Sequence, residues 1–227
     1  MKYKLLLFDA DDTLFDYPKA EEMALERAFQ QLALPYNKPE HLSAYRLING
    51  QVWEEYGRGD ISADLLRTKR FDLLFRQFVS PVDSGEFSQV YLEHLSRAAY
   101  LLDGATGILE YLAPKYTLAI VTNGLAEVQQ KRFNLSNMSR WIKHLIVSEE
   151  TGSQKPCPEF FEYTLRKVGS FTKAETLMVG DSLQSDIAGG MNFGIDTCWF
   201  NPKEAITPEE IRPTYVINKL EDLKSIL

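Results

Sequence analysis

Short apolar runs alternate with amphipathic stretches over most of the chain. The first run, Leu5-Leu6-Leu7-Phe8, ends abruptly in polar residues. Short runs that are apolar throughout are typical of strands buried on both faces of a parallel sheet. We predict further strands at 118–121, 145–147, 177–179, 198–200 and 215–217. Between and after them, helical periodicity predicts helices at 106–112, 126–133, 158–168, 183–192 and 220–227. This order predicts an α/β fold with a Rossmann-like, doubly wound parallel sheet.

The segment between the first two apolar runs has a different pattern. From about residue 17 to residue 100, apolar residues recur at three- and four-residue steps and no strand pattern is found. Amphipathic stretches lie at 23–32, 41–56, 63–78 and 86–99. We therefore predict two domains: a core made of residues 1–15 and 101–227, and an inserted helical domain of residues 16–100.

Polar residues follow four of the predicted strands, and they include Asp9, Asp11, Thr122, Asn123 and Asp181. In open α/β sheets, ligands bind outside the carboxyl ends of the strands. Asp9 and Asp11 are two residues apart, so in an extended chain they share one side. Two carboxylates this near to each other repel unless a cation lies between them. Mg²⁺ binds carboxylate oxygens of this kind together with the oxygens of a phosphate. For the first stretch alone, an Asp-rich turn is an equal alternative.

The composition narrows the classes of partner. The chain has 227 residues, 44% of them hydrophobic, and a formal net charge of −7. This charge argues against a nucleic-acid polymer or an anionic membrane as partner, although an acidic protein can still bind a small phosphorylated metabolite at a locally positive site. The apolar run near the N-terminus is too short for a signal peptide or a membrane span, so we expect a cytoplasmic protein. We expect a monomer or a small homo-oligomer.

Four motifs resemble those of the haloacid dehalogenase (HAD) superfamily. They are Asp9-Ala10-Asp11-Asp12-Thr13, Thr122-Asn123-Gly124, Lys155-Pro156 and the stretch from Gly180-Asp181 to Asp186. All four occur in the family's order and together span the predicted core. The stretches 8–15, 120–124, 147–150 and 198–201 also resemble the bacterial pyrimidine nucleotidases of this superfamily.

The resemblance implies a HAD-like catalytic core with a helical cap domain, and it implies roles for five residues. Asp9 would be the nucleophile that forms an aspartyl-phosphate. Asp11 would act first as general acid and then as general base; a dehalogenase releases halide and needs no such proton donor. Lys155 would supply positive charge to Asp9 and to the phosphate. Thr122 and Asn123 would donate hydrogen bonds to the phosphoryl oxygens.

The same resemblance implies Mg²⁺ as the cofactor. Asp9, Asp181 and the backbone carbonyl of Asp11 would hold the ion, and Asp186 would complete or orient that shell. Asp186 also has a purely structural interpretation, because a negative charge is favourable in the first turn of a helix.

The cap would select the substrate. Trp53, Tyr56 and Arg58 lie near the end of one amphipathic stretch, where an aromatic ring and a cation could stack on a base or hold a sugar. An ordinary helix end is the alternative for each of them.

These inferences together predict a Mg²⁺-dependent phosphate monoester hydrolase that acts on nucleoside 5′-monophosphates. The alternatives are a phosphoglycolate or sugar-phosphate phosphatase, then a phosphomutase, and then a non-catalytic protein that binds a phosphorylated ligand.

Overall fold

A computed structural model describes residues 2–206 and 208–227, and within these ranges six parallel strands form one sheet. The strands are β1 (Leu5–Phe8), β2 (Thr117–Thr122), β3 (His144–Val147), β4 (Thr176–Gly180), β5 (Asp196–Phe200) and β6 (Tyr215–Ile217). Their order across the sheet is β3-β2-β1-β4-β5-β6. The predicted Rossmann-like doubly wound sheet is therefore confirmed.

Strand β1 lies at the point where the winding of the sheet reverses. Leu5 of β1 pairs with Thr117 of β2 on one side and with Thr176 of β4 on the other. The chain builds β2 and β3 on one side of β1 and then crosses to the other side for β4, β5 and β6. The crevice of such a sheet opens at the carboxyl ends of the strands next to this switch point.

Among the described residues after the inserted segment, six α-helices are found. They are α5 (Ala105–Leu112), α6 (Ala126–Leu135), α7 (Ser148–Thr151), α8 (Pro158–Val168), α9 (Ala188–Phe193) and α10 (Leu223–Ile226). Side chains alternate across β1, so its two faces pack against different helices. Leu6 and Phe8 share a cluster with Ile108 of α5, and Leu5 and Leu7 share another with residues of α8.

Two predicted helices differ from the structure in detail. The helix predicted at 183–192 begins with a π-helical turn, Leu183–Ile187, and continues as α9. It ends at Gly194, whose φ of 87° is the left-handed conformation that favours glycine. The helix predicted at 220–227 is a 3₁₀ turn, Leu220–Asp222, followed by the short α10.

The chain divides into two compact units, Met1–Tyr17 with Ala99–Leu227 and Pro18–Ala98. Four helices lie in or begin just before the second unit. They are α1 (Tyr17–Gln31), α2 (Lys38–Gly57), α3 (Ala63–Gln77) and α4 (Ser84–Arg97). The second unit has an aromatic core that includes Phe29, Phe71 and Phe87.

Among the residues described, no helix has both the length and the apolar character that a membrane crossing requires.

Candidate active site

Three neighbouring strands bring the polar residues of the candidate site together. Asp9 follows β1 directly, Thr122 is the last residue of β2, and Asp181 follows β4 directly. Because β2, β1 and β4 are adjacent and parallel, their carboxyl ends lie at one edge of the sheet. Asp9, Asp181 and Asp186 each direct a carboxylate oxygen to one place, and these oxygens lie within 4.8 Å of one another.

Lys155 lies buried among these carboxylates. Its Nζ donates to Asp9 Oδ1 at 2.5 Å, to Asp186 Oδ1 at 2.7 Å and to the carbonyl oxygen of Val121 at 2.8 Å. An ammonium group has three donors, so all three have protein acceptors here. These bonds place a fixed positive charge between two carboxylates; the contact of Lys155 with phosphate stays a prediction.

The side chain of Asn123 holds the backbone of Lys155 in place. Asn123 Nδ2 donates to the Lys155 carbonyl oxygen at 2.8 Å, and the Lys155 N–H donates to Asn123 Oδ1 at 2.9 Å. This reciprocal pair joins the loop after β2 to the loop that carries Lys155. The side chain of Asn123 therefore has a structural role. The predicted phosphate contact involves the backbone N–H of Asn123 and stays a prediction.

Burial and mutual repulsion perturb the ionisation of this cluster. Burial raises the pKa of Asp9 well above its usual range, although Lys155 opposes that rise. Burial, together with the charges of Asp186 and Asp12, raises the pKa of Asp181 to about 7. Burial lowers the pKa of Lys155, but Asp186 and Asp9 outweigh this effect and raise it overall. A cluster of carboxylates that is costly to ionise suits a divalent cation, and an all-oxygen donor set suits Mg²⁺.

Contacts from other elements hold Asp181 in place. The Thr13 hydroxyl donates to Asp181 Oδ1 at 3.2 Å and accepts from the Asp181 N–H at 3.0 Å. The indole Nε1 of Trp199 donates to the Asp181 carbonyl oxygen at 2.8 Å. Thr13 is the last residue of the first motif and Trp199 lies on β5, so residues far apart in the chain fix the position of Asp181.

Asp186 is fully buried, and its environment explains the glycine at the end of β4. Its Oδ2 accepts from the Ser182 N–H at 3.1 Å while its Oδ1 accepts from Lys155. A Cβ at Gly180 would lie 2.2 Å from Asp186 Oδ2. Glycine at 180 thus leaves room for the side chain of Asp186, which orients Lys155.

The carboxylate of Asp11 contacts helix α6. Gln129 Nε2 donates to Asp11 Oδ2 at 2.5 Å, and Arg132 Nη1 forms a hydrogen bond and ion pair with Asp11 Oδ1. Gln129 Nε2 also donates to Thr122 Oγ1 at 3.3 Å. Neither Gln129 nor Arg132 was predicted from the sequence. The signal that could have found them is their spacing of three residues, which puts both polar side chains on one face of the helix after the second motif.

The predicted cap residues lie in the second unit. Trp53 and Tyr56 are partly buried near the end of α2, and their rings meet edge to face with centroids 5.7 Å apart. Arg58 is exposed and pairs with Asp60 at 2.8 Å. The other predicted site residues, from Asp9 to Asp186, all lie in the first unit.

The arrangement in the first unit can perform nucleophilic and acid–base chemistry. Asp9 is a carboxylate at the carboxyl end of a central strand, next to a fixed positive charge on Lys155. Asp11 is a second carboxylate on the same loop, held by separate donors. A nucleophile and an independently oriented acid–base group are what hydrolysis through a covalent intermediate requires.

Comparisons with known proteins agree with the fold and the motifs. A family profile described as haloacid dehalogenase-like hydrolase matches residues 6–200. The chain is 38% identical to YfnB of Bacillus subtilis over 100% of this chain and 96% of that one. A crystal structure of YfnB bound to magnesium has a TM-score of 0.93 and covers 100% of this chain and 99% of its own.

Two similar proteins are named as pyrimidine 5′-nucleotidases. YjjG of Escherichia coli is 31% identical over 100% of this chain and 99% of its own. PynA of Streptococcus pneumoniae is 34% identical over 100% of this chain and 96% of its own. The resemblance to pyrimidine nucleotidases, first drawn from short stretches, therefore extends over the full length of the chain.

Proposed function

Because the chain belongs to the haloacid dehalogenase-like hydrolases, we propose that it is a Mg²⁺-dependent phosphatase of nucleoside 5′-monophosphates. The observation that carries this proposal is the cluster of Asp9, Lys155, Asp181 and Asp186 at the switch point of the sheet, with Asp11 two residues after Asp9. The first unit would be the catalytic core and the second unit the cap, as the division at 16–100 predicts.

In the proposed reaction, a carboxylate oxygen of Asp9 attacks phosphorus and the bond from phosphorus to the ester oxygen breaks. Asp11, in its acid form, transfers its proton to the leaving oxygen, which departs as the free hydroxyl. The carboxylate of Asp11 then takes a proton from water as that water attacks the aspartyl-phosphate. Phosphate leaves, and Asp9 is regenerated. Thr122 and the N–H of Asn123 would donate to the phosphoryl oxygens throughout.

The carboxylates of Asp9 and Asp181 would hold Mg²⁺, together with the backbone carbonyl of Asp11. The ion, when bound, polarises the phosphoryl group and offsets its repulsion from the carboxylates. Asp186, which also lies in the cluster, accepts from Lys155 and from the Ser182 N–H. We therefore infer that Asp186 mainly orients Lys155 and contributes its charge to the site.

Nucleoside monophosphates are the proposed substrates because two full-length relatives are named as pyrimidine 5′-nucleotidases. In the second unit, Trp53 and Tyr56 offer aromatic surfaces for a base, and Arg58 offers a cation. These three residues are the proposed selectivity determinants.

The experiment is a measurement of phosphate release with Mg²⁺ from nucleotides, sugar phosphates and phosphoglycolate. We expect turnover to be highest on pyrimidine nucleoside monophosphates and to be abolished in Asp9→Asn. Turnover on sugar phosphates or phosphoglycolate alone would keep the reaction and overturn the substrate. Absence of release from every ester by the folded wild-type protein would overturn the phosphatase itself and favour a mutase or a binding protein.

A further inference from the structure

Two buried side chains of helix α6 donate hydrogen bonds to the carboxylate of Asp11 from the same side. Arg132 is fully buried and Gln129 is 2% exposed, and each donates to a different oxygen of Asp11. We propose that Gln129 and Arg132 are positioning residues that aim the Asp11 carboxyl group at the leaving oxygen of the substrate. The proposal rests on the proposed phosphatase function and adds to it the residues that fix the orientation of the Asp11 carboxyl group.

Two hydrogen-bond donors are needed to fix the orientation of the Asp11 carboxyl group, because the last side-chain torsion of an aspartate rotates easily. Rotation of a carboxylate about its terminal bond is broad and roughly two-fold, so one hydrogen bond would leave Asp11 free to swing. Arg132 holds Oδ1 and Gln129 holds Oδ2. Because the two residues are three apart on α6, their side chains reach the carboxylate from one helix face. The pair therefore fixes both the place and the rotation of the acid group.

Arg132 is itself braced by the loop that carries Asp11. Its guanidinium carbon lies 4.2 Å from the centroid of the Phe15 ring, a stacking that a planar guanidinium makes well. Asp11 and Phe15 are joined as an isolated bridge, and the Asp12 N–H donates to the Phe15 carbonyl oxygen at 2.9 Å. Arg132 thus contacts both ends of one tight loop. The contacts with Phe15 and with Asp11 together hold Arg132 in place beside this loop.

Gln129 connects Asp11 to the second motif. The same Nε2 that donates to Asp11 also donates to Thr122 Oγ1. A Cβ at Gly124 would lie 2.2 Å from that nitrogen, so the glycine of the Thr122-Asn123-Gly124 motif leaves the space that the Gln129 amide occupies. The placement of the acid and the placement of a proposed phosphate donor are therefore coupled through one amide group.

The test compares two kinds of ester. In a nucleoside monophosphate the leaving group is an alkoxide and needs the proton of Asp11. In 4-nitrophenyl phosphate the leaving group is a stabilised phenolate and needs little protonation. The ratio of kcat/KM for the two substrates reports the acid step, because kcat/KM includes only the steps up to the first phosphoryl transfer. A change that merely loosens the fold lowers both values together and leaves the ratio unchanged.

The variants are Gln129→Leu, Arg132→Met and Arg132→Lys, with Asp11→Asn as the reference for complete loss of the acid. Gln130→Leu is the matched control, because Gln130 is the exposed neighbour on the same helix and bonds only to Asn134 in the described contacts. Melting temperature and circular dichroism are recorded for each variant.

We expect Asp11→Asn to lower kcat/KM for the nucleotide by about 10²–10⁴-fold, the usual contribution of a general acid. Gln129→Leu and Arg132→Met should each lower it by about 10–100-fold, since small misplacements of a reacting group cost this much. All three should change kcat/KM for the aryl ester far less. Arg132→Lys keeps the charge but loses the planar fork, so its effect should be smaller than that of Arg132→Met. Gln130→Leu should match the wild type.

Equal losses on both esters in Gln129→Leu and in Arg132→Met, with Asp11→Asn still selective for the nucleotide, would overturn the proposal and leave the phosphatase function intact. Full activity of both variants on both esters would overturn it too. Wild-type protein without activity on either ester would instead overturn the proposed function on which the inference rests. If Arg132→Met does not fold, Gln129→Leu and Arg132→Lys decide between these outcomes.

Discussion

Replacing Asp181 by Asn is expected to stabilise the metal-free protein at neutral and alkaline pH, although it removes a carboxylate from the proposed metal site. In the folded chain, burial and the charges of Asp186 and Asp12 raise the pKa of Asp181 from 3.8 to about 7. The folded state therefore keeps a proton on Asp181 at pH values where the unfolded chain has released it. Asn has the same shape and no charge, and its amide oxygen can still accept from Thr13.

The sign and the range follow from linkage between protonation and folding. Well below pH 4, Asp181 is protonated in both states and has no effect on the pH dependence. As the pH rises from about 4 to about 7, ionisation favours the unfolded chain more and more. Above about pH 7, the loss of folding stability that comes from ionising Asp181 is constant. A shift of about three pKa units corresponds to at most about 4 kcal/mol, or about 10 °C in Tm for a chain of this size.

The assay is Tm against pH in chelator and in excess Mg²⁺. Metal-free wild-type protein should lose stability between pH 4 and pH 7, and Asp181→Asn should show a flatter profile and a higher Tm at pH 8. Mg²⁺ at about 100 times its Kd should stabilise the wild-type protein by about 2.7 kcal/mol, and Asp181→Asn less. Asp103→Asn, a change at an exposed residue of the same unit, is the control and should follow the wild type.

A metal-free Asp181→Asn variant that melts below the wild type at pH 8, or that keeps the wild-type pH profile, would refute this reasoning. An unchanged wild-type Tm in saturating Mg²⁺ would refute the assignment of the carboxylate cluster as the metal site.

Two further predictions concern groups whose burial decides their behaviour. Lys155→Met leaves Asp9 and Asp186 without their shared cation, so we expect phosphatase activity to be lost and stability to fall by about 3–5 kcal/mol in urea denaturation; wild-type stability in this variant would contradict that expectation. Cys157 is exposed, whereas Cys198 is buried, and burial and a nearby acid raise the pKa of Cys198 to about 12. A thiol reagent should therefore react with one cysteine in the native protein and with two after unfolding. Reaction of both cysteines in the native protein would contradict this prediction.

The amphipathic and apolar patterns were sufficient to predict the strands and most helices. Six apolar runs became six strands of one parallel sheet, and the central strands are buried on both faces, as runs that are apolar throughout require. The helix predicted at 183–192 differs in its first turn, which is a π-helix in which Asp186 accepts a hydrogen bond from the Ser182 N–H. Periodicity reports the face of a helix and does not report such a local bond.

Within the site, the motifs predicted the residues, and the structure supplied their relations. The sequence indicated that Asp9 and Asp181 would lie near each other, since both follow apolar runs, and their carboxylates do belong to one cluster. The sequence did not indicate that the Lys155 ammonium would donate all three of its hydrogen bonds to protein acceptors. Nor did it indicate that the Asn123 side chain would bond to the Lys155 backbone. Hydrogen bonds between distant segments depend on how loops meet, which no local pattern records.

By itself, the sequence determined the α/β class of this protein, its strand order along the chain and the nature of its chemical groups, because periodicity and burial are set locally. Only the tertiary structure decided which groups face one another. Asp11 lies far from Gln129 and Arg132 in sequence, yet both donate to its carboxylate. Their contact exists because β1 and β2 are adjacent in the sheet and α6 follows β2. The physical reason is that spatial proximity across a sheet is a property of the packed chain as a whole.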